Sequence, residues 1–283
     1  MISRRSALRS ARGLRSARGE VFEDLFKYVI VLAVLVVGGY YFLGLAVDAI
    51  VPKIPVEVEN RIFGAEQYGA GASGVSASGK SDERLARPAS ILKRLSSQPE
   101  APKLNYRLFI IDKSEPNAVA MPGGAIGVTT GLLKILNNDA GLAFVLGHEI
   151  GHFKNRDHLR GVGRSLGVRL ILSLFFGDSD ITRFVGANVL NLFHKKYSRG
   201  QEEAADRFGL FLVYKGYGTV KGTTKLFEIL SRTDAQPKWA YMFSTHPASA
   251  RRVEKMKEYA AELAAGGDGA AEPRTGGKNP FAD

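Results

Sequence analysis

Twenty consecutive residues near the N-terminus, 28–47, carry no charged side chain. An α-helix rises ~1.5 Å per residue, so a run of this length can cross the ~30 Å hydrocarbon core of a bilayer. Tyr40, Tyr41 and Phe42 lie towards the far end of the run, where aromatic rings suit a membrane interface. Residues 28–47 are therefore predicted to form a transmembrane helix, which places the remaining chain on either side of a membrane.

The leader, residues 1–27, is strongly basic, and its basic residues come first. Its arginines that precede the first acidic residue, Glu20, are Arg4, Arg5, Arg9, Arg12, Arg15 and Arg18. Basic flanks stay on the cytoplasmic side, so the body is predicted to be extracytoplasmic, facing the periplasm from a bacterial inner membrane. Two alternatives stay open. Small residues around Ala49 suit cleavage of a signal peptide, and an Arg- and Ser-rich leader also resembles a mitochondrial presequence, which would place the body in the intermembrane space.

The net charge of +11 does not predict a nucleic-acid partner, because no aromatic or base-reading pattern accompanies the basic leader. The hydrophobic fraction of 45% is that of a chain able to bury a core. The chain has no cysteine, which excludes disulfides, thiolate metal ligands and a cysteine nucleophile.

Beyond the anchor, residues 48–103 are expected to be a juxtamembrane segment, residues 104–265 a folded domain and residues 266–283 a disordered tail. The juxtamembrane segment holds a Gly/Ser-rich linker at 69–81 and a helix from Asp82, its predicted N-cap, to Gln98. In the folded domain, residues 104–112 are strand-like, and two short apolar runs flank Pro122-Gly123-Gly124 as in a hairpin.

Helices account for most of the predicted domain. Asn138 or Asp139 can cap an amphipathic helix that runs to His158, and Ser198 with Gln201 forms a capping box for another. Residues 166–176 are too short to cross a bilayer and predict either a membrane-facing surface helix or a buried one. Further helices are expected over 223–231 and after the Thr245-His246-Pro247 turn.

The chemistry is concentrated in the segment HEIGH. Residues i and i+4 of a helix share a face, so His148 and His152 can offer two imidazole nitrogens to one ion. Glu149 is placed to take the proton of an attacking water rather than to bind the ion. Gly151 costs about 1 kcal/mol in a helix, so close packing or function must compensate for it.

Two imidazoles do not complete a zinc site, and without cysteine the third ligand must be a histidine or a carboxylate. Glu202 and Asp206 are also i and i+4, which lets Glu202 bind the ion while Asp206 orients a ligand histidine. Glu203 lies off that face, and a first-turn contact with the helix dipole is the alternative reading of Glu202.

Four segments in order, NAVAMPGGAIGVTTGLL, HEIGH, SRGQEEAAD and STHPASARR, resemble the M48 family of zinc metallopeptidases. The resemblance implies an α+β, zincin-like domain of the gluzincin type, mostly helical with a small sheet beside the HEIGH helix. It implies one Zn²⁺ per chain, bound by His148, His152 and Glu202, with Glu149 as general base. It also implies that Asp206 does not bind the ion but holds one of the ligand histidines. The ligand set also suits cobalt or manganese.

The resemblance also assigns residues outside the metal site. Asn117, Ala118, Val119 and Ala120 would bind substrate backbone by strand addition, with Val119 replacing the usual aromatic residue of the family. His246 would stabilise the oxyanion or fill the open metal position, a structural histidine being the alternative, and Arg252 would orient its neighbours.

These expectations amount to a membrane-anchored zinc endopeptidase that acts on protein or peptide substrates, in quality control of membrane or exported proteins. The single predicted span differs from the multi-pass body of some family members and agrees with a single-anchor, extracytoplasmic type. The alternative is a silent or latent scaffold or chaperone that keeps the fold. A deformylase-like amidase would need a cysteine ligand that the chain does not have.

Overall fold

The structure, a computed structural model, describes residues 4–63, 75–76, 83–136, 138–177, 197–223, 246 and 250–266. The chain divides into two compact units, Met1–Ala49 and Ile50–Asp283. The first is a single helix, α1 (Arg4–Ile50). Within the described residues, Glu23–Lys53 is the one helical segment long and apolar enough to cross a membrane, with a mean hydropathy of 2.4, and it contains the predicted span.

The second unit is mostly helical with one small sheet, which confirms the predicted α+β class. Its helices are α2 (Val56–Ile62), α3 (Ala86–Ser96), α4 (Thr130–Ile135), α5 (Asp139–Lys154), α6 (Asp157–Phe176), α7 (Arg199–Tyr217) and α8 (Ala250–Gly266). Its strands are β1 (Val75–Ser76), β2 (Arg107–Ile111), β3 (Ala118–Met121) and β4 (Ala125–Thr129). The domain boundaries drawn from the sequence stay predictions.

The sheet has the strand order β1-β2-β4-β3. The predicted hairpin is confirmed: β3 and β4 pair antiparallel, with Ala118 opposite Val128 and Met121 opposite Ala125. Gly123 and Gly124, in the turn between these strands, have φ of 78° and 80°, a left-handed backbone that favours glycine. β2 runs parallel to β4, which is buried along its whole length and forms the centre of the sheet.

Part of the predicted linker belongs to the sheet. Val75 and Ser76 pair antiparallel with Ile111 and Ile110 at the outer edge of β2. The rest of residues 69–81 and the predicted cap Asp82 lie outside the described residues, as do 224–231 and 267–283. The helix predicted from Asp82 begins at Ala86, after a short 3-10 turn.

The prediction for the HEIGH helix was right about its start and wrong about its character and end. The Asn138 side chain caps α5 by accepting a hydrogen bond from Gly141 N. Residues 141–153 are all buried, so α5 is a central helix and not an amphipathic one. The helix ends at Lys154 because Arg156 has a φ of 59°, and this left-handed residue turns the chain into α6 before His158 is reached.

The apolar segment 166–176 lies in the C-terminal half of α6. Leu166 and Leu170 are 49% and 62% exposed, whereas Leu159 and Val162 nearer the start of the helix are buried. These two exposed leucines favour the surface-helix interpretation of this segment over the buried one.

Helices α5 and α7 approach closely enough for their backbones to touch. A Cβ on Gly151 would lie 2.8 Å from Ala205 Cα, and a Cβ on Gly209 would lie 2.8 Å from His148 N. A Cβ on Gly147 would lie 3.0 Å from Gly209 O. Close packing therefore accounts for the glycine in the middle of the HEIGH segment.

Replacing Gly151 with Ala should destabilise the protein, although alanine is the better helix former. The methyl group collides with the α7 backbone, and overpacking of this kind costs about 1–3 kcal/mol. Gly161→Ala is the matched control, since a Cβ there meets nothing within 4 Å among the described residues and the substitution should raise stability by up to ~1 kcal/mol. Thermal denaturation of the full-length variants measures both. Equal stability of Gly151→Ala and the wild type would contradict the packing argument.

Candidate metal centre and active site

Two histidines of α5, one carboxylate of α7 and one histidine beyond α7 meet at a single point. His148, His152, Glu202 and His246 each place a ligand atom within 4.8 Å of the others. All four side chains are buried, with 0–8% of each residue exposed. The residues span 98 positions of the chain, from His148 to His246, so the fold and not local sequence brings them together.

The donor separations fit a small metal ion. Ligands 2.0–2.1 Å from a tetrahedral zinc lie ~3.3 Å apart. Here His148 Nε2 lies 3.1 Å from His152 Nε2 and 3.2 Å from His246 Nδ1. The two carboxylate oxygens of Glu202 lie 3.6 Å from His148 Nε2 and 3.7 Å from His152 Nε2. These distances are those of ligands around one ion.

The far ring nitrogens of both α5 histidines are held by carboxylates. His148 Nδ1 donates to Asp206 Oδ1 at 2.9 Å, and His152 Nδ1 donates to Asp157 Oδ2 at 2.9 Å. Because the carboxylates accept these hydrogen bonds, the Nε2 atoms present their lone pairs inwards. Two lone pairs 3.1 Å apart repel each other unless a cation or a proton lies between them. The donor chemistry therefore fits a bound cation.

The ionisation of these groups also suits metal binding. Burial, and then the neighbouring charge of His152, lowers the pKa of His148 well below its ordinary value, which keeps its ring neutral. Burial raises the pKa of Glu202, but the charge and hydrogen bond of His246, together with the charges of His148 and Arg252, outweigh it and bring the pKa to about 2. Burial lowers the pKa of His152, yet the bond to Asp157 and the charge of Glu202 give a net rise, so a metal ion held by this ring would have to displace a proton.

Glu149 lies beside this donor set without belonging to it. Its residue is 2% exposed, and Oε1 lies 3.7 Å from His246 Nε2. Among the described residues, Oε2 is buried and has no hydrogen-bond partner. A buried carboxylate oxygen with unused acceptor capacity, next to a cluster of side chains that could hold a metal ion, is placed to accept a proton.

The last helix completes the surroundings of the two α7 carboxylates. Arg252 donates from Nη2 to Asp206 Oδ1 at 2.8 Å and from Nε to Oδ2, and its Nη1 lies 2.6 Å from Glu202 Oε2. Glu203 instead pairs with Lys255 at 2.6 Å, and its side chain is 39% exposed. The two adjacent glutamates thus have different surroundings: Glu202 is buried beside the imidazoles, and Glu203 is half-exposed beside a lysine.

Sequence reasoning missed two residues that hold His152. Asp157 accepts the bond from its Nδ1, and the ring of Tyr197 stacks on the imidazole at a centroid distance of 3.9 Å. Asp157 follows His152 by five residues, beyond the helix end at Lys154, and Tyr197 precedes the Ser198 cap. Each lies next to a helix boundary that the sequence shows, but neither belongs to a sequence motif that indicates metal binding or catalysis.

The segment predicted to bind substrate lies along α5. β3 has β4 as its one strand neighbour among the described residues. Asn117 is held by Thr129, whose hydroxyl accepts from Asn117 N at 2.8 Å. Asn117, Ala118 and Ala120 are buried and Val119 is half-buried. A ligand at this segment would therefore contact the backbone of β3 more than its side chains.

Comparison with known proteins agrees with this geometry. The model of Peptidase family M48 matches residues 82–260. The mitochondrial metalloendopeptidase OMA1 of Schizosaccharomyces pombe is 30% identical over 174 residues, which cover 61% of this chain and 52% of the yeast protein. The metalloprotease YcaL of Escherichia coli is 28% identical over 200 residues, covering 69% of this chain and 76% of YcaL.

An archaeal relative matches over a similar length. The protease HtpX homolog of Pyrococcus abyssi is 29% identical over 225 residues, covering 60% of this chain and 78% of the archaeal protein. The chain thus spans about half the length of the yeast relative and about three quarters of the other two.

Adjacent glutamates provide a test of the donor set. Glu202→Gln should lower zinc affinity by at least ~10-fold, because the amide removes an anionic ligand from a buried site. Glu203→Gln makes the same chemical change one residue away, on a half-exposed side chain, and should leave affinity within ~2-fold of the wild type. Competition with a chelator, with zinc content as readout, distinguishes them. Equal losses in both variants would remove Glu202 from the site.

Proposed function

The chain belongs to peptidase family M48, and from this premise we propose that it is a membrane-anchored, zinc-dependent endopeptidase that hydrolyses internal peptide bonds of proteins. The observation that carries the proposal is the convergence of His148, His152 and Glu202 on one point, with Glu149 beside it, whose Oε2 has no hydrogen-bond partner among the described residues.

The proposed metal complement is one Zn²⁺ per chain, held by His148, His152 and Glu202. When bound, the ion supplies a Lewis acid that polarises a peptide carbonyl and lowers the pKa of a water molecule. Asp206 and Asp157 keep the two imidazoles in the tautomer that ligation requires. Arg252 balances the charge of the α7 carboxylates. The same donors would accept cobalt or manganese.

Glu149 is proposed as the general base. It takes a proton from the attacking water, which adds to the peptide carbonyl, and later gives that proton to the leaving amine nitrogen. Its burial and the lack of a hydrogen-bond partner for Oε2 among the described residues support the role, because that oxygen has unused capacity to accept a proton.

His246 is proposed to act from within the donor set. Its Nδ1 lies 3.2 Å from His148 Nε2 and 3.0 Å from Glu202 Oε1, and its Nε2 faces Glu149. In this position the ring occupies the space that a substrate carbonyl or an attacking water needs. We therefore favour a resting state in which His246 is the fourth donor, over a role at the oxyanion.

The proposed substrate subsite consists of Asn117 and the first three residues of the edge strand β3, Ala118, Val119 and Ala120. An extended peptide pairing with this edge would be recognised mainly by its backbone, which gives broad sequence tolerance. Small buried side chains at 118 and 120 support this reading, since they leave Val119 as the one partly accessible side chain of the three.

The proposed location is a membrane, with α1 as a single span and the second unit extracytoplasmic. The arginine-rich leader supports a bacterial inner membrane with the domain facing the periplasm. The mitochondrial OMA1 relative keeps the inner mitochondrial membrane as the alternative. Protein substrates in such a place would be membrane or exported proteins, and removal of damaged ones is the proposed task.

The second candidate is a silent or latent scaffold with the same fold. One observation favours it: His246 lies beside His148, Glu202 and Glu149, within the donor set itself. A scaffold can keep His246 in this place, whereas the proposed peptidase has to move the ring to admit a substrate.

Glu149→Gln distinguishes catalysis from scaffolding. The full-length protein in detergent should hold about one zinc per chain in both forms, and casein cleavage by the variant should fall by ~10²–10⁴-fold, because the amide cannot carry the proton. Zinc content and cleavage are measured on the same samples. Zinc in both forms with cleavage in neither would support the scaffold, and zinc in neither would reject the site.

His246→Ala tests the resting-state proposal. Removal of the ring should raise casein cleavage several-fold at unchanged zinc content, because the fourth position becomes open to substrate while three ligands remain. A fall in kcat of ~10²-fold at unchanged zinc content would instead assign His246 to the oxyanion.

A further inference from the structure

We propose that Glu59, on the short helix α2, is a positioning residue that holds both the proposed substrate strand and the carboxylate partner of His152. The inference rests on the proposed peptidase function. Glu59 belongs to no motif, and residue 59 precedes the region matched by the family model.

Glu59 is a buried acid with a full set of donors. The residue is 1% exposed. Its Oε1 accepts hydrogen bonds from His158 Nε2 at 2.8 Å and from Gly123 N at 2.9 Å, and its Oε2 accepts from Arg156 Nη1. One carboxylate of α2 thus holds two other segments, the turn at Gly123 and residues 156–158, which lie 64 and 97–99 residues further along the chain.

On one side this carboxylate fixes the residues that flank Asp157. Arg156 and His158 immediately precede and follow Asp157, which accepts the bond from His152 Nδ1 at 2.9 Å. The backbone of Arg156 has a left-handed φ of 59°. This conformation is unfavourable for a residue other than glycine and persists where surrounding contacts hold it. Glu59 and Ile54 O, the latter 3.0 Å from Arg156 Nη2, supply that hold from the α2 region.

On the other side Glu59 fixes the turn that ends the substrate strand. Gly123 follows β3 by two residues and donates its backbone N–H to Glu59. The α2 backbone lies against this turn, because a Cβ on Gly123 would lie 2.1 Å from Phe63 O. Arg107 Nη2 bridges the two segments, 3.4 Å from both Phe63 O and Gly123 O.

The negative charge of Glu59 is essential to the arrangement. Burial raises the pKa of its carboxyl, but His158, the Gly123 N–H and Arg156 outweigh burial and lower it overall. An amide in the same place has one acceptor oxygen for three donors. Its NH₂ group would meet either the Arg156 guanidinium or the Gly123 and His158 donors. Glutamine therefore keeps the size of the side chain but cannot accept all three hydrogen bonds from Gly123, Arg156 and His158.

The experiment compares Glu59→Gln with Glu57→Gln in the full-length protein. Glu57 is exposed on the same helix two residues earlier, so it controls for the loss of one negative charge from α2. Three quantities are measured below the unfolding transition of every variant: zinc affinity by chelator competition, the visible spectrum of the cobalt-substituted protein, and kcat and KM on a fluorogenic casein-derived peptide.

Glu59→Gln should weaken zinc binding ~3–10-fold, because loss of a direct ligand partner costs 10–100-fold and Glu59 acts one step further out. It should shift the cobalt absorption bands and raise KM as β3 loses its fixed end. Glu57→Gln should match the wild type in all three measurements. Should Glu59→Gln not fold, His158→Phe replaces it, since phenylalanine removes the donor and keeps the ring contact with Phe153 at 4.8 Å.

A lower unfolding temperature with wild-type zinc affinity, cobalt spectrum and KM would overturn the proposal, because Glu59 would then be only a structural acid. Failure of the proposed function has a different signature. If the wild type cleaves no peptide, zinc affinity and the cobalt spectrum still show whether Glu59 positions the metal ligands.

Discussion

The contact between the backbones of α5 and α7 is the constraint on which the site depends. Gly147 and Gly151 on one helix face Gly209 and Ala205 on the other, with no space for a larger side chain at the glycines. A glutamate side chain is short, so Glu202 reaches the two imidazoles only because the helices are this close. The absence of side chains at these glycines is therefore as important for bringing the donor atoms together as the residues that provide those atoms.

Buried charge is the second feature of the design, and it is arranged in pairs. Asp206 is matched by Arg252, and each ligand histidine donates to a carboxylate. Unpaired charges at this depth would cost several kcal/mol each. Among the described residues, Glu149 Oε2 is buried without a hydrogen-bond partner, which leaves it acceptor capacity beside the proposed reaction centre.

Local signals were enough to place much of this architecture from sequence. Asn138, the Ser198 capping box and the Pro122 turn each mark a boundary through the conformation of a few adjacent residues. The misses are non-local. The burial of α5 on all sides depends on what packs around it, and periodicity alone predicted an exposed face. Asp157 acquires its role only because Arg156 reverses the chain.

Arg252, on the last described helix, closes the site over carboxylates 46 and 50 residues earlier in the chain. Contacts between such distant positions form after local ones, and a chain made from its N-terminus completes them last. During synthesis, the HEIGH helix and α7 emerge before the residues that neutralise Glu202 and Asp206. A nascent chain therefore contains these two carboxylates about fifty residues before it contains the arginine that pairs with both of them.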